Sequence, residues 1–431
     1  MSHHDVIVVG AGLAGLTAAV RLAEGGARVL VLARGVGATH LSAGTIDVLG
    51  YTSLRRSPVR ALAHGDRARV EHPAEALAGV GDGHPYSLVG ADAVGAAVEW
   101  LKARVAGGSL APYAYRGDLD ENLLLPTALG VPRPSSVVPE TMAGGDLRRG
   151  APVLVVGFRG LKDFHPRLLA DVLSRSGTAA RAAELDLVPE GRADVNSLGY
   201  ARAFDDPAFR AEVTAQLVAR LGAEERVAFP AVLGIADPHR AWAELEERLA
   251  HPVFEVPTLP PSVPGMRLFA ILREALRQAG GRLILNAAVT GCESEGGRVS
   301  KLRVRVGLRD ERRACHWVVL ATGGFASGGL ELDSRWTARE TALGLPVAGM
   351  PAPGEDRFGP GYLDDHPMAR AGVAVGPDLR PEGYDNVLVA GATLAGAEPW
   401  REKSGDGISL ATGHRAAELV LAEAGSLAAA R

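Results

Sequence analysis

Four short stretches of the chain hold residues whose types and spacing could do chemistry. The first is Gly10-Ala11-Gly12-Leu13-Ala14-Gly15, directly after an apolar run over residues 6–9. Here Gly10 permits a tight turn, Gly12 lets backbone approach a pyrophosphate, and Gly15 lets a helix lie close to its strand. The helix that holds Ala14 would add amide donors and a positive dipole end. The second, "VVLATGG" at residues 318–324, reads as a buried strand running into a glycine turn at Ala321, Thr322 and Gly323. The third ends a final strand at Gly391 and opens a helix near Gly405, with Gly407 and Ile408 in its first turn. Such a helix N-terminus can stabilise an electron-rich ring. In the fourth, "HPMAR", His366 could accept the proton of an alcohol and Arg370 could hold an anion.

The elements that would position these residues follow from periodicity. Residues 6–9 read as a strand, 13–24 as a helix and 28–32 as a second strand, a βαβ start. A looser stretch follows, with Pro-rich loops, a strand in "APVLVVGF" and a helix in "AEVTAQLVARLG". Strong periodicity returns with a helix over 267–278 stopped by Gly280-Gly281, a strand over 282–285 and a hairpin turning at Gly296-Gly297. The expected fold is α/β: a Rossmann-like domain from both chain ends, residues 1–52 and 265–431, with a mixed α/β domain inserted over 53–264.

Composition bounds the rest. A chain of 431 residues holds two or three domains, and a net charge of -4 gives no general attraction to nucleic acid or anionic lipid. Two cysteines, Cys292 and Cys315, are too few and too far apart for a disulfide scaffold or a metal or iron–sulfur site, which points to the cytosol. No apolar run reaches the length of a membrane span, so membrane association is expected only through a partner or an amphipathic surface.

A strand ending in Ala-Thr-Gly-Gly after a long insertion, beside the first glycine motif, argues for flavin rather than a diffusing nicotinamide. Two landmarks of flavoproteins with this layout are missing. The second strand ends in Ala33 and Arg34 instead of an acid that would hold a ribose, and Gly391 is followed by Ala392 instead of an acid for the ribitol. Thr39, Ser42, Gly44 and Thr45 sit where such proteins bring small polar groups onto the phosphate and ring, with Arg34 just before them. Asp47 reads as a helix cap or a flavin contact.

"RGVGATHLSAGTIDVLG", "LLLPTALGVPRPSSVVPETM", "VVGFRGLKDFHP", "FEVPTLPPSVPGMRL" and "DHPMARAGVAV" occur in this order along nearly the whole chain. Together they resemble the B subunits of anaerobic glycerol-3-phosphate dehydrogenases, whereas the glycine and "ATGG" motifs alone also fit the wider fumarate reductase-like group. The resemblance implies a flavoprotein, with FMN the flavin attributed to this subunit. A mononucleotide has no adenosine ribose, which would account for Ala33, while the intact glycine turn favours the pyrophosphate of FAD; both flavins are carried forward equally. It further implies two partners at the inner face of the cytoplasmic membrane, an FAD-bearing A subunit with an iron–sulfur C subunit. That complex oxidises sn-glycerol 3-phosphate to dihydroxyacetone phosphate and passes electrons to menaquinone.

Such an oxidation needs a base, a hydride path and cations for the phosphate. His366, Arg370 and Arg267 are the residues expected to supply them, with His165 ranked lower. Two readings stand side by side: a catalytic subunit that meets substrate, and an electron relay between partners. The missing acids and the sparse cations lean toward the relay. A stand-alone fumarate reductase-like or ketosteroid dehydrogenase-like enzyme is the alternative.

Overall fold

A computed structural model describes residues 4–53, 67–189, 194–222, 225–361, 364 and 366–429. The chain divides into two compact units. One comprises residues 1–38, 47–100 and 272–431, the other residues 39–46 and 101–271.

The first unit is built on β1 (His4–Val9), α1 (Leu13–Glu24) and β2 (Val29–Leu32), close to the βαβ start that periodicity predicts. From the C-terminal part of the chain it takes β3 (Arg282–Ile284), β4 (Ala287–Glu295), β5 (Arg298–Val306), β6 (Arg309–Leu320), β7 (Val387–Val389) and the long helix α2 (Gly405–Ala429). The sheet order is β3-β2-β1-β6-β5-β4, with β7 also paired to β6. The twelve-residue β6 has two duties: its first half forms an antiparallel hairpin with β5, and its second half runs parallel between β1 and β7. Register does the positioning. Val9 lies opposite both Leu32 and Leu320, Leu320 lies opposite Val389, and Ile284 lies opposite Leu32. All these strands are parallel, so the turns that follow them leave from one edge, where open α/β sheets bind ligands. The strand residues 6–9, 29–32 and 317–320 are all buried, as expected for a parallel sheet covered on both faces.

Helices α1 and α2 lie against each other at glycine. A Cβ on Gly413 would fall 2.3 Å from Ala14 O, and one on Gly25 would fall 2.5 Å from Leu421 Cδ2. Bulk at either position forces the helices apart.

The second unit carries a parallel sheet of four strands in the order Ala180–Leu185, Val153–Phe158, Arg226–Pro230, Val253–Val256. Its helices Pro207–Val218 and Pro238–Leu249 each begin with an Asp N-cap, Asp206 and Asp237, followed by Pro at the first helical position. Phe158, Phe204, Phe229 and Tyr200 fill its core, and full burial of each ring contributes about 1.5–3 kcal/mol.

The division differs from the expected 1–52 and 265–431 against 53–264. Residues 39–46 belong to the second unit because Ile46 N donates to Val137 O at 2.7 Å and Gly44 abuts Pro264. Residues 47–100 belong to the first: the buried Tyr86 hydroxyl donates to Val48 O at 2.6 Å and reaches Ser404 O at 3.2 Å. The helix expected over 267–278 spans Val263–Gln278, starting a turn earlier because the buried Ser262 accepts Gly265 N at 3.2 Å. Among the described residues, no helix is long and apolar enough to cross a membrane.

Candidate functional site

Glycine contacts shape the edge of the first unit's sheet. Gly10, at φ +113, has space for no Cβ, which would lie 2.1 Å from Ala321 O; a Cβ on Gly15 would lie 2.0 Å from Gly10 O. These two glycines lock β1, α1 and the end of β6 together. Gly12 behaves differently: a Cβ there would meet no atom of the described residues within 4 Å. Gly12 is also the N-cap of α1, without a side-chain cap and without an acid in the first turn, so no side chain of its own satisfies the amides at that helix end. Such a cradle fits a pyrophosphate. Gly37, which sequence reasoning passed over, closes its side, since a Cβ there would sit 2.8 Å from Gly12 N and Cα. The glycine pair in "RGVGATH" was the available signal.

The turns after β6 and β7 are joined by hydroxyls. Gly323 N donates to Thr393 Oγ1 at 2.9 Å, Thr322 Oγ1 donates to Glu340 Oε1 at 3.2 Å, and Gly391 N donates to Thr412 Oγ1 at 2.8 Å. Thr393, Thr412 and Glu340 are fully buried and were not singled out from the sequence. Thr393 had proximity to Gly391 as its local sign, and Thr412 and Glu340 had none. Burial raises the Glu340 carboxyl above its ordinary range. Ala14 acts in packing: a Cβ on Gly391 would lie 2.8 Å from its own Cβ.

The missing acids now have surroundings. Ala33 is buried, its backbone held by Ile284 O and by Ala287 N at 3.1 and 3.0 Å. Arg34 is exposed, with Nη1 4.0 Å from where a Cβ on Gly328 would stand. Ala392 is exposed beside Gly324. Of the residues expected at the start of α2, Gly407 N donates to Asp47 O at 3.0 Å and Ile408 N to Ser404 O at 2.8 Å. Their amides are thus spent inside the protein, and Gly407 serves close packing against Tyr86 and Val48. Gly405 is the first residue of α2, near Pro399.

Thr39, Ser42, Gly44 and Thr45 lie in the second unit. Ser42 Oγ donates to Thr39 O at 3.1 Å and accepts from Gly44 N at 3.3 Å, while Gly44 O accepts from the Tyr115 hydroxyl at 2.5 Å. The buried Thr39 and Thr45 hydroxyls find no hydrogen-bond partner among the described residues. A buried hydroxyl without a partner is costly and marks a place for a ligand or water.

The three expected catalytic residues fall in different units, Arg267 in the second and His366 and Arg370 in the first. Arg267 is 0% exposed in the second unit, bonded to Glu255 Oε2 at 2.7 Å and to Gly234 O at 2.6 and 2.9 Å. Burial alone would lower its pKa, but Glu255 outweighs this and holds the guanidinium firmly charged. It is a structural ion pair whose donors are taken up by Glu255 and Gly234, away from the phosphate role expected for it. His366 is half-buried in the first unit, stacked on Trp400 at 6.0 Å between ring centroids. Its Nδ1 accepts from Gly359 N at 3.0 Å, so the neutral ring carries its proton on Nε2. As placed, Nδ1 of His366 is occupied by the backbone and is not the atom that would take a substrate proton. Arg370 pairs with the buried Glu398 at 3.1 Å, and Glu398 also faces Arg401 at 3.8 Å. His165 is the exposed N-cap of the helix Pro166–Arg175.

A family model described as an FAD binding domain matches residues 5–408. A protein of Halobacterium salinarum, named as the probable B subunit of anaerobic glycerol-3-phosphate dehydrogenase, is 33% identical, with 96% of each chain covered. The B subunit of the anaerobic glycerol-3-phosphate dehydrogenase of Pectobacterium carotovorum is 31% identical over 97% of this chain and 99% of its own. Among solved structures, FrdA of the E. coli quinol fumarate reductase aligns at 10% identity with a TM-score of 0.43, covering 99% of this chain and 71% of that one.

Proposed function

Because the chain belongs to the FAD binding domain family and to the B subunits of anaerobic glycerol-3-phosphate dehydrogenases, we propose that it binds FAD and serves as an electron relay within such a complex. The chain is a flavin-dependent oxidoreductase subunit. Its complex oxidises sn-glycerol 3-phosphate to dihydroxyacetone phosphate and delivers the electrons to the menaquinone pool. Its partners, at the inner face of the cytoplasmic membrane, are an FAD-bearing A subunit with an iron–sulfur C subunit.

The observation that carries the cofactor reading is the open cradle at Gly12, where an uncapped, acid-free helix N-terminus is walled by Gly37. A pyrophosphate uses such a cradle, which favours FAD over FMN. When bound, the flavin supplies hydride and single-electron chemistry. The chain's residues would bind it: the Gly12 turn would hold phosphate, and the Thr322–Gly323 turn, fastened by Thr393, would contact the flavin. The relay is favoured over a substrate site because Arg267 is consumed by Glu255, Arg370 is paired with Glu398, and His366 Nδ1 is taken up by Gly359 N–H.

The test is to purify the chain, release and weigh its flavin, and add glycerol 3-phosphate anaerobically. Flavin that stays oxidised until the FAD-bearing partner is added supports the relay. Bleaching by substrate alone would make this chain catalytic, and release of FMN would overturn the cofactor. His366→Ala should leave turnover of the assembled complex within about twofold, since no proton transfer is assigned to it.

A further inference from the structure

Glu340 is a buried carboxylate that the proposed function leaves unused. It is 0% exposed, and among the described residues no cation is paired with it. Its Oε1 accepts from Ala342 N at 2.8 Å and from Thr322 Oγ1 at 3.2 Å, and its Oε2 accepts from Leu343 N at 2.7 Å. An unpaired buried carboxylate is costly, and a local turn needs no charge to form. The chain of hydroxyls continues past Thr322: Thr393 Oγ1 lies 3.4 Å from Thr322 Oγ1, accepts from Gly323 N at 2.9 Å and reaches Gly323 O at 3.3 Å.

A hydroxyl has one proton, so this chain has a direction. With Glu340 ionised, Thr322 must donate to it, and Thr393 is free to receive Gly323 N–H. With Glu340 protonated, the carboxyl O–H donates to Thr322, whose own proton turns to the second lone pair of Thr393 Oγ1; that contact, 3.4 Å with the carboxyl ionised, shortens toward the usual O–H···O length of about 2.8 Å and draws Thr393 Oγ1 off Gly323 N–H.

We propose that Glu340 is a positioning residue of the flavin turn: through the Thr322–Thr393 hydroxyls, its charge decides how firmly Gly323 is held for FAD. This rests on the FAD reading above. The other ionisable side chain that senses Glu340 is Tyr384, whose pKa is raised chiefly by its own burial and, in part, by Glu340. Tyr384, raised above its ordinary 10, stays protonated between pH 5 and 8, and Glu340→Gln is the control that separates the carboxyl from every other group.

The experiment measures FAD affinity of the purified chain from pH 5 to 8, in wild type, Glu340→Gln and Thr322→Val, beside the melting temperature of the FAD-free chain. Wild type should lose affinity about fivefold or more on acidification, and both variants should lose that pH dependence. The FAD-free melting temperature of Glu340→Gln, relative to wild type, should rise with pH. The sign follows because a raised carboxyl pKa gives stability at low pH that is lost as the group ionises. Thr322→Val should keep this stability trend while losing the affinity trend, which a merely structural role for Glu340 would not produce. Parallel affinity profiles in all three proteins overturn the inference and leave the FAD reading standing. A wild-type chain that takes up no FAD at any pH overturns both.

Discussion

Replacing Gly12 by Val separates the fold from the cofactor more sharply than any other single change. Gly12 sits at φ -75 and ψ -176, extended backbone open to any residue, and its Cβ would meet no described atom within 4 Å. The FAD-free protein should therefore change in stability by no more than about 0.5 kcal/mol, as for a surface site. The isopropyl group instead fills the cradle and lifts a pyrophosphate off the amides of α1. Charge-assisted hydrogen bonds contribute about 1.5–3 kcal/mol each, so losing two costs about 3–6 kcal/mol, a weakening of FAD binding on the order of 10² to 10⁴. Gly10→Ala should behave oppositely. At φ +113, with its Cβ 2.1 Å from Ala321 O, strain and overpacking together cost roughly 2–5 kcal/mol of folding stability. The assay is a flavin-fluorescence titration beside thermal denaturation of the FAD-free chains. A Gly12→Val protein that keeps wild-type affinity, or melts as early as Gly10→Ala, would refute the cradle.

Arg267→Met strands the buried Glu255 carboxylate and should cost about 3–5 kcal/mol in denaturant melts, with part recovered in the Arg267→Met/Glu255→Gln double variant; no recovery would count against the ion pair. For Glu402, burial pushes the carboxyl up, but hydrogen bonds from His84 and Ser404 outweigh it and hold it below the ordinary 4.5. Its contribution is therefore present above pH 4.5 and lost as the pH falls through its lower folded value. The melting-temperature gap between wild type and Glu402→Gln should close below pH 4.5, and a gap that persists at pH 3 would contradict this. Burial pushes the Cys315 thiol up to about 12, so at pH 8 alkylation should reach the half-buried Cys292 first and Cys315 only on unfolding, as read by peptide mass.

The missing acid after β2 shows how local reading can mislead. From the sequence, Ala33 argued for FMN as strongly as the glycine turn argued for FAD, because the ribose contact was expected from the side chain at that position. In the fold that position is buried, with its backbone tied to Ile284 and Ala287, and Arg34 is the first exposed side chain after β2. The glycine cradle is independent of either residue. Arg267 misled for another reason. An arginine near a Pro-rich turn looks like a ligand, and only the pairing with Glu255, twelve residues upstream, reveals the ion pair.

The sequence alone determined the elements whose cause is local. The helix over 13–24, the strands around it and the hairpin at Gly296-Gly297 follow from apolar period and glycine, which act over a few residues. The roles of Gly10 and Gly15 were legible for the same reason. Whether side chains meet was decided by tertiary structure. The register that sets Val9 opposite Leu32 and Leu320 joins turns more than 300 residues apart, and the Glu340–Thr322–Thr393 chain crosses three segments that no periodicity links. Hydrogen bonds of that kind depend on position to within an ångström, and the chain acquires such positions only when its sheet has closed.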